Sequence, residues 1–217
     1  MKTIRIDVVS DVMCPWCYIG KRRLEKAIEM LGEDVAVEVN WRPFQLDATL
    51  PKEGKDRRRY LEDKFGGSER AAEAYANVRR AGDLEAIPFD FDAITVSANT
   101  LDAHRMIRWA GEVGRVAQDR LVEILFRRYF TEGAQIGDDD VLADAAEEAG
   151  LDRTVIETKL RGDLDRQSVE AEIASAQRMG VQGVPCFILD GKYAVSGAQP
   201  ADVLADAIHQ VAGQKAA

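Results

Sequence analysis

Two of the three cysteines stand in the segment CPWC at residues 14–17, directly after an apolar stretch and directly before a basic one. If Cys14 ends a strand and begins a helix, the first-turn amides and the helix dipole point at its sulfur and stabilise the thiolate. Two intervening residues bring Cys17 beneath Cys14, close enough for a disulfide. This spacing therefore indicates dithiol–disulfide chemistry, with Cys14 as the outer thiol and Cys17 turned toward the core.

The number of cysteines limits what else this pair could do. Three cysteines in 217 residues are too few for a disulfide scaffold. A structural zinc site needs four ligands at suitable spacing, whereas this chain offers only Cys186 and two scattered histidines beside the pair. A metal-binding protein is therefore the least favoured interpretation, and we expect no metal.

Composition indicates an ordinary globular protein. The chain is 46% hydrophobic, which suffices for a core, and its net charge of −9 argues against nucleic acid or anionic lipid as a partner. The N-terminal segment MKTIRIDVVS alternates polar and apolar residues where a signal peptide would be continuously apolar. We therefore expect a cytoplasmic protein that is not bound to a membrane.

The flanking segments predict the elements that must position the two thiols. Residues 3–9 and 35–41 alternate with period two and predict strands, while residues 18–31 have the apolar spacing of an amphipathic helix that ends before Gly32. Near the other end, residues 185–197 predict a hairpin that turns at Asp190-Gly191, and a last helix follows Pro200.

The middle of the chain has a different character. Between residues 47 and 179 we predict five to seven helices and no convincing strand, with helix starts marked by Ser68, Asn99 and Asp138. Without this block the order is βαβ followed by ββα. The sequence thus predicts an α/β protein in which residues 1–46 and 180–217 form a discontinuous thioredoxin-like domain and residues 47–179 a large all-helical insertion domain.

Several segments together carry a family resemblance. SDVMCPWCYIG, NWRPFQL, NTLDAHR, RRYFTEG and GVPCFILDGKYAVSGAQ resemble the DsbA-like thioredoxin-fold family, specifically its FrnE-like branch. The resemblance extends from about residue 4 to residue 211 and includes the helical insertion. It implies a DsbA-like protein-disulfide oxidoreductase with a redox-active disulfide and no other cofactor.

The resemblance also implies roles for individual residues. Cys14 would be the surface nucleophile and Cys17 the resolving thiol. Pro185 would be the cis-proline that faces the CPWC segment, and the backbone of Val184 would pair with a bound peptide like an added strand. Pro15 and Trp16 would complete the substrate-binding surface. The partners implied are disulfide-containing proteins or peptides, with glutathione as a further co-substrate; the oligomeric state, homodimer included, stays open.

One departure from the family determines the expected direction of the reaction. The best-known members are periplasmic oxidants with histidine as the second intervening residue, where this chain has Trp16. An indole cannot stabilise a thiolate as an imidazole can, so we expect a weaker oxidant. In a cytosol rich in glutathione, reduction or isomerisation of disulfides is the expected direction.

The residues leave a second function open. Kappa-class glutathione transferases and hydroxychromene-carboxylate isomerases have a related fold, bind glutathione and use a serine where Cys14 stands. The presence of both cysteines argues against this alternative, although the loop at Val184-Pro185 could still recognise glutathione.

Several polar and aromatic residues allow two interpretations each. Cys186 is expected as a small buried residue rather than an alternative partner for Cys14, and His104 as a helix residue rather than a catalytic base. Asp11 either caps its loop or accepts a proton from Cys17. Trp41 and Phe44 line a cleft or lie in the core. The run Lys21, Arg22 and Arg23 either adds a cationic field or faces solvent.

Overall fold

The computed structural model describes residues 2–33 and 35–214. Within these ranges six strands and nine helices follow one another along the chain. The strands are β1 (Lys2–Ser10), β2 (Val35–Pro43), β3 (Lys55–Asp56), β4 (Val96–Ser97), β5 (Cys186–Leu189) and β6 (Tyr193–Ser196). The helices are α1 (Pro15–Met30), α2 (Arg57–Phe65), α3 (Ser68–Leu84), α4 (Leu101–Val113), α5 (Arg115–Glu132), α6 (Asp139–Glu148), α7 (Arg153–Arg161), α8 (Arg166–Arg178) and α9 (Ala201–Gln214).

A four-stranded mixed sheet in the order β2-β1-β5-β6 carries the predicted thioredoxin-like arrangement. β1 pairs in parallel with β2 and antiparallel with β5, and β6 forms the edge beside β5. β1 is therefore an inner strand, and its last five residues are buried. This confirms the predicted βαβ and ββα halves and places the end of β1 at the centre of the molecule.

The helix after β1 begins three residues earlier than its apolar pattern indicated. α1 starts at Pro15, where a missing backbone N–H costs nothing because first-turn amides have no helical partner. Cys14 is its N-cap with extended backbone angles. The helix ends as predicted, since Gly32 has a φ of 68°, which a glycine adopts without strain.

The middle of the chain is helical, as predicted, and contains α2 to α8. The expectation of no strand there was wrong, because β3 and β4 form a two-stranded sheet through the pairs Lys55 with Ser97 and Asp56 with Val96. Strands of two residues are too short to produce the alternation by which a strand is recognised in a sequence.

The predicted helix starts were correct in one case and displaced by one residue in two. Asp138 caps α6 by accepting from the amides of Asp140 and Val141. The N-cap of α3 is Gly67 rather than Ser68. That of α4 is Thr100 rather than Asn99, whose Oδ1 instead accepts from the Leu101 amide. A sequence pattern locates a helix end only to within one or two residues.

The hairpin of β5 and β6 turns where the sequence predicted. Asp190 and Gly191 both have positive φ values, 50° and 70°, which match a turn of the primed type. β6 begins at Tyr193, one residue later than expected.

The helical block packs directly against α1. Tyr18 of α1 stacks on Phe126 of α5 with ring centroids 5.0 Å apart, and both belong to one buried cluster that also contains Ile4, Ile6 and Val8 of β1. Shared burial of this kind argues for a block fixed on the sheet rather than tethered to it. The domain boundaries at residues 46/47 and 179/180 stay a prediction.

Candidate active site

Cys14 and Cys17 lie where the central strand is followed by α1. The amide of Cys14 donates to the carbonyl of Asp11 at 2.9 Å, and the amide of Cys17 donates to the carbonyl of Cys14 at 3.0 Å. This turn fixes both residues at the start of the helix. Both thiols are free, as is that of Cys186.

The outer thiol is more buried than the family resemblance implied. Cys14 is 4% exposed and Cys17 1%, whereas Trp16 between them is 38% exposed. The carbonyl oxygen of Val184 lies 3.7 Å from the Cys14 sulfur and helps to cover it. The expectation of a surface cysteine was therefore wrong: the facing loop closes over Cys14, and Trp16 is the residue that solvent reaches.

Burial strongly affects the inner thiol. It raises the pKa of Cys17 well above that of an ordinary cysteine, and the adjacent Cys14 raises the pKa further. The hydroxyl of Ser10 and the backbone amide of Asp11 oppose the shift. A buried thiol with a raised pKa keeps its proton, so a proton acceptor is needed before Cys17 can attack a disulfide.

The loop that faces the cysteines contains the cis peptide bond that the resemblance implied, between Val184 and Pro185. Pro185 is buried and Val184 half-buried. Their close approach to α1 depends on Gly20, because a Cβ atom there would lie only 2.7 Å from Pro185 Cγ. Sequence inspection missed Gly20, since no local pattern distinguishes a packing glycine inside a helix.

Asp11 caps its own loop. Its side chain is fully buried and accepts from the amides of Met13, at 3.3 Å, and Leu46, at 2.7 Å. The group that reaches the Cys17 sulfur is the Asp11 backbone amide. Of the two interpretations from the sequence, the structure favours loop capping for the Asp11 carboxylate.

The basic residues of α1 fit neither interpretation from the sequence. Lys21 is 2% exposed and pairs with Glu25, Asp119 and Glu123. In the same way Arg22 pairs with Glu123, and Arg23 with Glu85. These ion pairs hold α1 against α5 and the segment after α3, so the charges are largely neutralised before they could act on the cysteines.

The remaining candidates lie in the interior. Trp41 and Phe44 are each 5% exposed, so they belong to the core. Cys186 is buried in a separate apolar cluster with Val9, Phe44, Ala176 and Val181, apart from the cluster that contains Cys14. Because Cys186 and Phe187 alternate along β5, Cys186 faces away from α1.

The two histidines differ from each other. His209 is exposed on α9, as expected. His104 is 3% exposed, and its Nε2 lies 3.5 Å from Asp11 Oδ1. Its proximity to the CPWC turn was not evident from the sequence, because α4 is far from β1 along the chain.

Neither a metal site nor a membrane span is found in the described part of the chain. Residues 2–33 and 35–214 contain no group of three or more His, Cys, Asp or Glu side chains arranged to bind a metal ion. Within the same ranges, no helix is long and apolar enough to cross a bilayer.

Comparison with known proteins gives a family match over nearly the whole chain. The model of the DSBA-like thioredoxin domain matches residues 5–209. The uncharacterized protein YwbO of Bacillus subtilis is 28% identical over 95% of this chain and 96% of its own. The crystal structure of a probable DsbA oxidoreductase, SCO1869 from Streptomyces coelicolor, is 32% identical with a TM-score of 0.87, covering 97% of this chain and 90% of that one.

Two more distant structures share the fold. A 2-hydroxychromene-2-carboxylate isomerase has a TM-score of 0.72 at 18% identity over 98% of both chains. DsbM, a cytosolic disulfide reductase of Pseudomonas aeruginosa, has a TM-score of 0.64 at 18% identity over 95% of this chain and 98% of its own, and its structure is also known with glutathione. At these identities the likeness concerns the fold alone.

Proposed function

The chain belongs to the DSBA-like thioredoxin domain family, and we propose that it is a thiol-disulfide oxidoreductase that reduces or isomerises disulfides through Cys14 and Cys17. The observation that carries the proposal is the position of Cys14 as the N-cap of α1, with the Val184 carbonyl 3.7 Å from its sulfur. A substrate sulfur bound next to Cys14 would contact both the Cys14 thiolate and the backbone of Val184 in the facing loop.

In the first step the Cys14 thiolate attacks one sulfur of the substrate disulfide. A Cys14–substrate disulfide forms, and the other substrate sulfur leaves as a thiolate. The first-turn amides of α1 stabilise the attacking thiolate. Because Cys14 is 4% exposed, the facing loop must yield to the substrate, whose chain would lie along the backbone of Val184.

In the second step Cys17 loses its proton and attacks the Cys14 sulfur. The Cys14–Cys17 disulfide forms, and the second substrate sulfur leaves as a thiolate. In isomerisation a thiol of the substrate resolves the intermediate instead, and the enzyme dithiol is regenerated.

The proposed substrate-binding surface consists of Pro15, Trp16, Val184 and Pro185. Trp16 is the exposed member and offers an aromatic face to a peptide. Pro185 packs against Gly20, and its carbonyl accepts from the Gly197 amide at 2.8 Å. Together these contacts fix the position of the loop relative to α1. Disulfide-containing proteins or peptides are the substrates that such a surface suits.

Reduction or isomerisation in the cytoplasm is the direction we propose. Trp16 supplies no charge to stabilise the Cys14 thiolate, and Lys21, Arg22 and Arg23 are engaged in ion pairs. A weakly stabilised thiolate makes the disulfide form a weaker oxidant. The shared fold with DsbM, a cytosolic disulfide reductase whose structure is known with glutathione, supports glutathione as the electron donor.

A glutathione-dependent transferase or isomerase is the alternative. The fold shared with the hydroxychromene-carboxylate isomerase favours it. It requires no resolving cysteine, so Cys17 would have no chemical task in that reaction.

Equilibration of the purified protein with a series of glutathione redox ratios tests the proposal. After an alkylating quench, intact mass gives the fraction of Cys14–Cys17 disulfide. We expect a two-electron couple within the range of thioredoxin and DsbA, about −270 to −120 mV. The Cys186→Ser protein should titrate like the wild type, whereas Cys14→Ser should lose the couple and the reduction of insulin.

A protein that never forms this disulfide but holds glutathione noncovalently would contradict the proposal and support the alternative. Undiminished insulin reduction by the Cys14→Ser protein would exclude Cys14 as the nucleophile.

A further inference from the structure

Two buried polar atoms close to the cysteines have no hydrogen-bond partner among the described residues. They are Ser10 Oγ at the end of β1 and His104 Nε2 on α4, and each residue is 3% exposed. An unsatisfied buried polar atom is destabilising, so native structures contain few of them. Two such atoms beside one site therefore point to a shared role.

Both residues line the same small cavity. It has a volume of about 10 Å³, and its other walls are Val12, Trp41, Arg42, Ile107 and Val122. A volume of roughly 10–15 Å³ holds one water molecule, provided that polar partners are present. The cavity thus has the size for one water, with the Ser10 hydroxyl and the His104 imidazole to bind it.

The Ser10 side of this cavity leads to the resolving thiol. The Ser10 hydroxyl is near enough to the Cys17 sulfur to lower the pKa of that thiol, against the larger opposite effect of burial, although no close hydrogen bond joins the two groups. A hydroxyl can accept one proton while it donates another, so it can pass a proton on without holding a charge.

The His104 side leads outward. His104 also lines a larger cavity of about 250 Å³ that contains polar and charged side chains. The charged residues that line it are Arg42, Arg108, Glu112, Arg115 and Glu172. Glu172 pairs with Arg42 at 2.9 Å and with Arg108 at 3.7 Å.

Asp11 lies on the inner side of His104. Its Oδ1 is 3.5 Å from His104 Nε2, longer than a direct hydrogen bond. The carboxylate of Asp11 also accepts from the amides of Met13 and Leu46. An acidic side chain therefore lies beside His104 Nε2.

From this arrangement we propose that Ser10, a water in the small cavity and His104 form a proton route from Cys17 to solvent. The inference rests on the proposed function and deepens it. When Cys17 attacks the Cys14–substrate disulfide, the Cys17–Cys14 bond forms. The Cys14–substrate bond breaks, and both of its electrons go to the substrate sulfur. The Cys17 proton moves through Ser10 and the water to His104 Nε2. His104 then releases the proton into the larger cavity. His104 thus contacts neither of the reacting sulfurs and acts on Cys17 only through the water and Ser10.

The test separates the two chemical steps. Reduced protein is mixed with a peptide disulfide, quenched with acid at increasing times and weighed intact, so that the Cys14–peptide mixed disulfide is observed directly. The variants are His104→Gln and, as the matched control, His209→Gln, which changes the only other histidine of the sequence and lies on the exposed face of α9.

At pH 7 the His104→Gln protein should form the mixed disulfide within about twofold of the wild-type rate. It should resolve the mixed disulfide about 100-fold more slowly, the low end of the usual contribution of positioned proton transfer. The intermediate then accumulates. As the pH rises toward the pKa of Cys17, the thiol needs no acceptor and the difference should close. His209→Gln should match the wild type at every pH.

A second variant protects the test against misfolding. Ser10→Ala removes the same route at its other end and should give the same accumulation. Since both changes interrupt one route, the double variant should resolve the intermediate no more slowly than either single variant.

Several outcomes would overturn the proposal. Resolution by His104→Gln at the wild-type rate, equal slowing of both steps at all pH values, or additive losses in the double variant each contradict the proton route while leaving the oxidoreductase function intact. A wild-type protein that forms no Cys14 mixed disulfide would instead contradict the proposed function itself.

Discussion

Cys17 and Cys186 are both buried cysteines, yet they lie in opposite settings on the two faces of the sheet. Burial raises the pKa of each thiol, and each has a serine hydroxyl beside it, Ser10 in one case and Ser196 in the other. Cys17 is on the first turn of α1 next to a second thiol, whereas Cys186 is in a cluster of apolar side chains.

The comparison shows that burial and a hydroxyl neighbour do not make a thiol reactive. What distinguishes Cys17 is a sulfur partner beside it and, next to Ser10, a small cavity that His104 also lines. Cys186 packs like a small apolar residue between Val9 and Ala176. If this difference is correct, substitution of Cys17 should impair catalysis and substitution of Cys186 should not.

The largest expected difference is catalytic. Cys17→Ser should lower the turnover of insulin reduction by about 100-fold or more, because the intermediate on Cys14 loses its resolving thiol. Mass spectrometry should find substrate bound to Cys14. Cys186→Ser should remain within about twofold of the wild type in the same assay. Similar losses in the two variants would remove the distinction between these thiols.

A smaller effect is expected from the contact between α1 and the facing loop. Gly20→Ala places a methyl group 2.7 Å from Pro185 Cγ, so the helix or the loop must move. We expect a loss of turnover of about tenfold, since a displacement of about 1 Å at a reacting group can cost up to 100-fold. The environment of Cys186, on the other face of the sheet, should not change. The rate at which Cys186 is alkylated under native conditions should therefore equal that of the wild type.

Gly213→Ala is the matched control for that change. Gly213 is also a helical glycine, on α9, but a Cβ atom there meets nothing within 4 Å. Its replacement should leave turnover unchanged and gain at most about 1 kcal/mol of helix stability. If Gly20→Ala behaved like Gly213→Ala, the close packing of α1 on Pro185 would have no functional importance.

The smallest expected difference concerns stability against pH. A thiol whose pKa is higher in the folded than in the unfolded protein contributes stability below the unfolded value, about 8.5, and this contribution is lost as the pH rises. The free energy of unfolding of the reduced protein, from urea denaturation, should therefore fall as the pH rises above about 8.5. Each unit of pKa difference corresponds to about 1.4 kcal/mol.

The two cysteines should share this loss unequally. Cys17→Ala should flatten the pH dependence more than Cys186→Ala, because Cys14 adds to the effect of burial at Cys17 alone. An equal effect of the two substitutions would mean that the neighbouring thiol contributes nothing.

Much of the fold could be predicted from local patterns. The alternation in β1 and β2, the helical spacing of α1 and the Asp190-Gly191 turn are properties of short segments. Each element formed at its pattern, with α1 beginning three residues before it. β3 and β4 could not be predicted, because pairing between two-residue segments depends on how α2 and α4 are packed rather than on their own residues.

The sequence by itself determined the CPWC pair and its place between a strand and a helix, since both are matters of residue type and spacing. The proline that faces the pair was expected only from the resemblance to the family. Only the tertiary structure decided that Cys14 is covered by Val184, that the basic residues of α1 are neutralised, and that Ser10 and His104 line one cavity. The physical reason is that burial, ion pairing and shared cavities depend on which distant segments come together, and no local period records that.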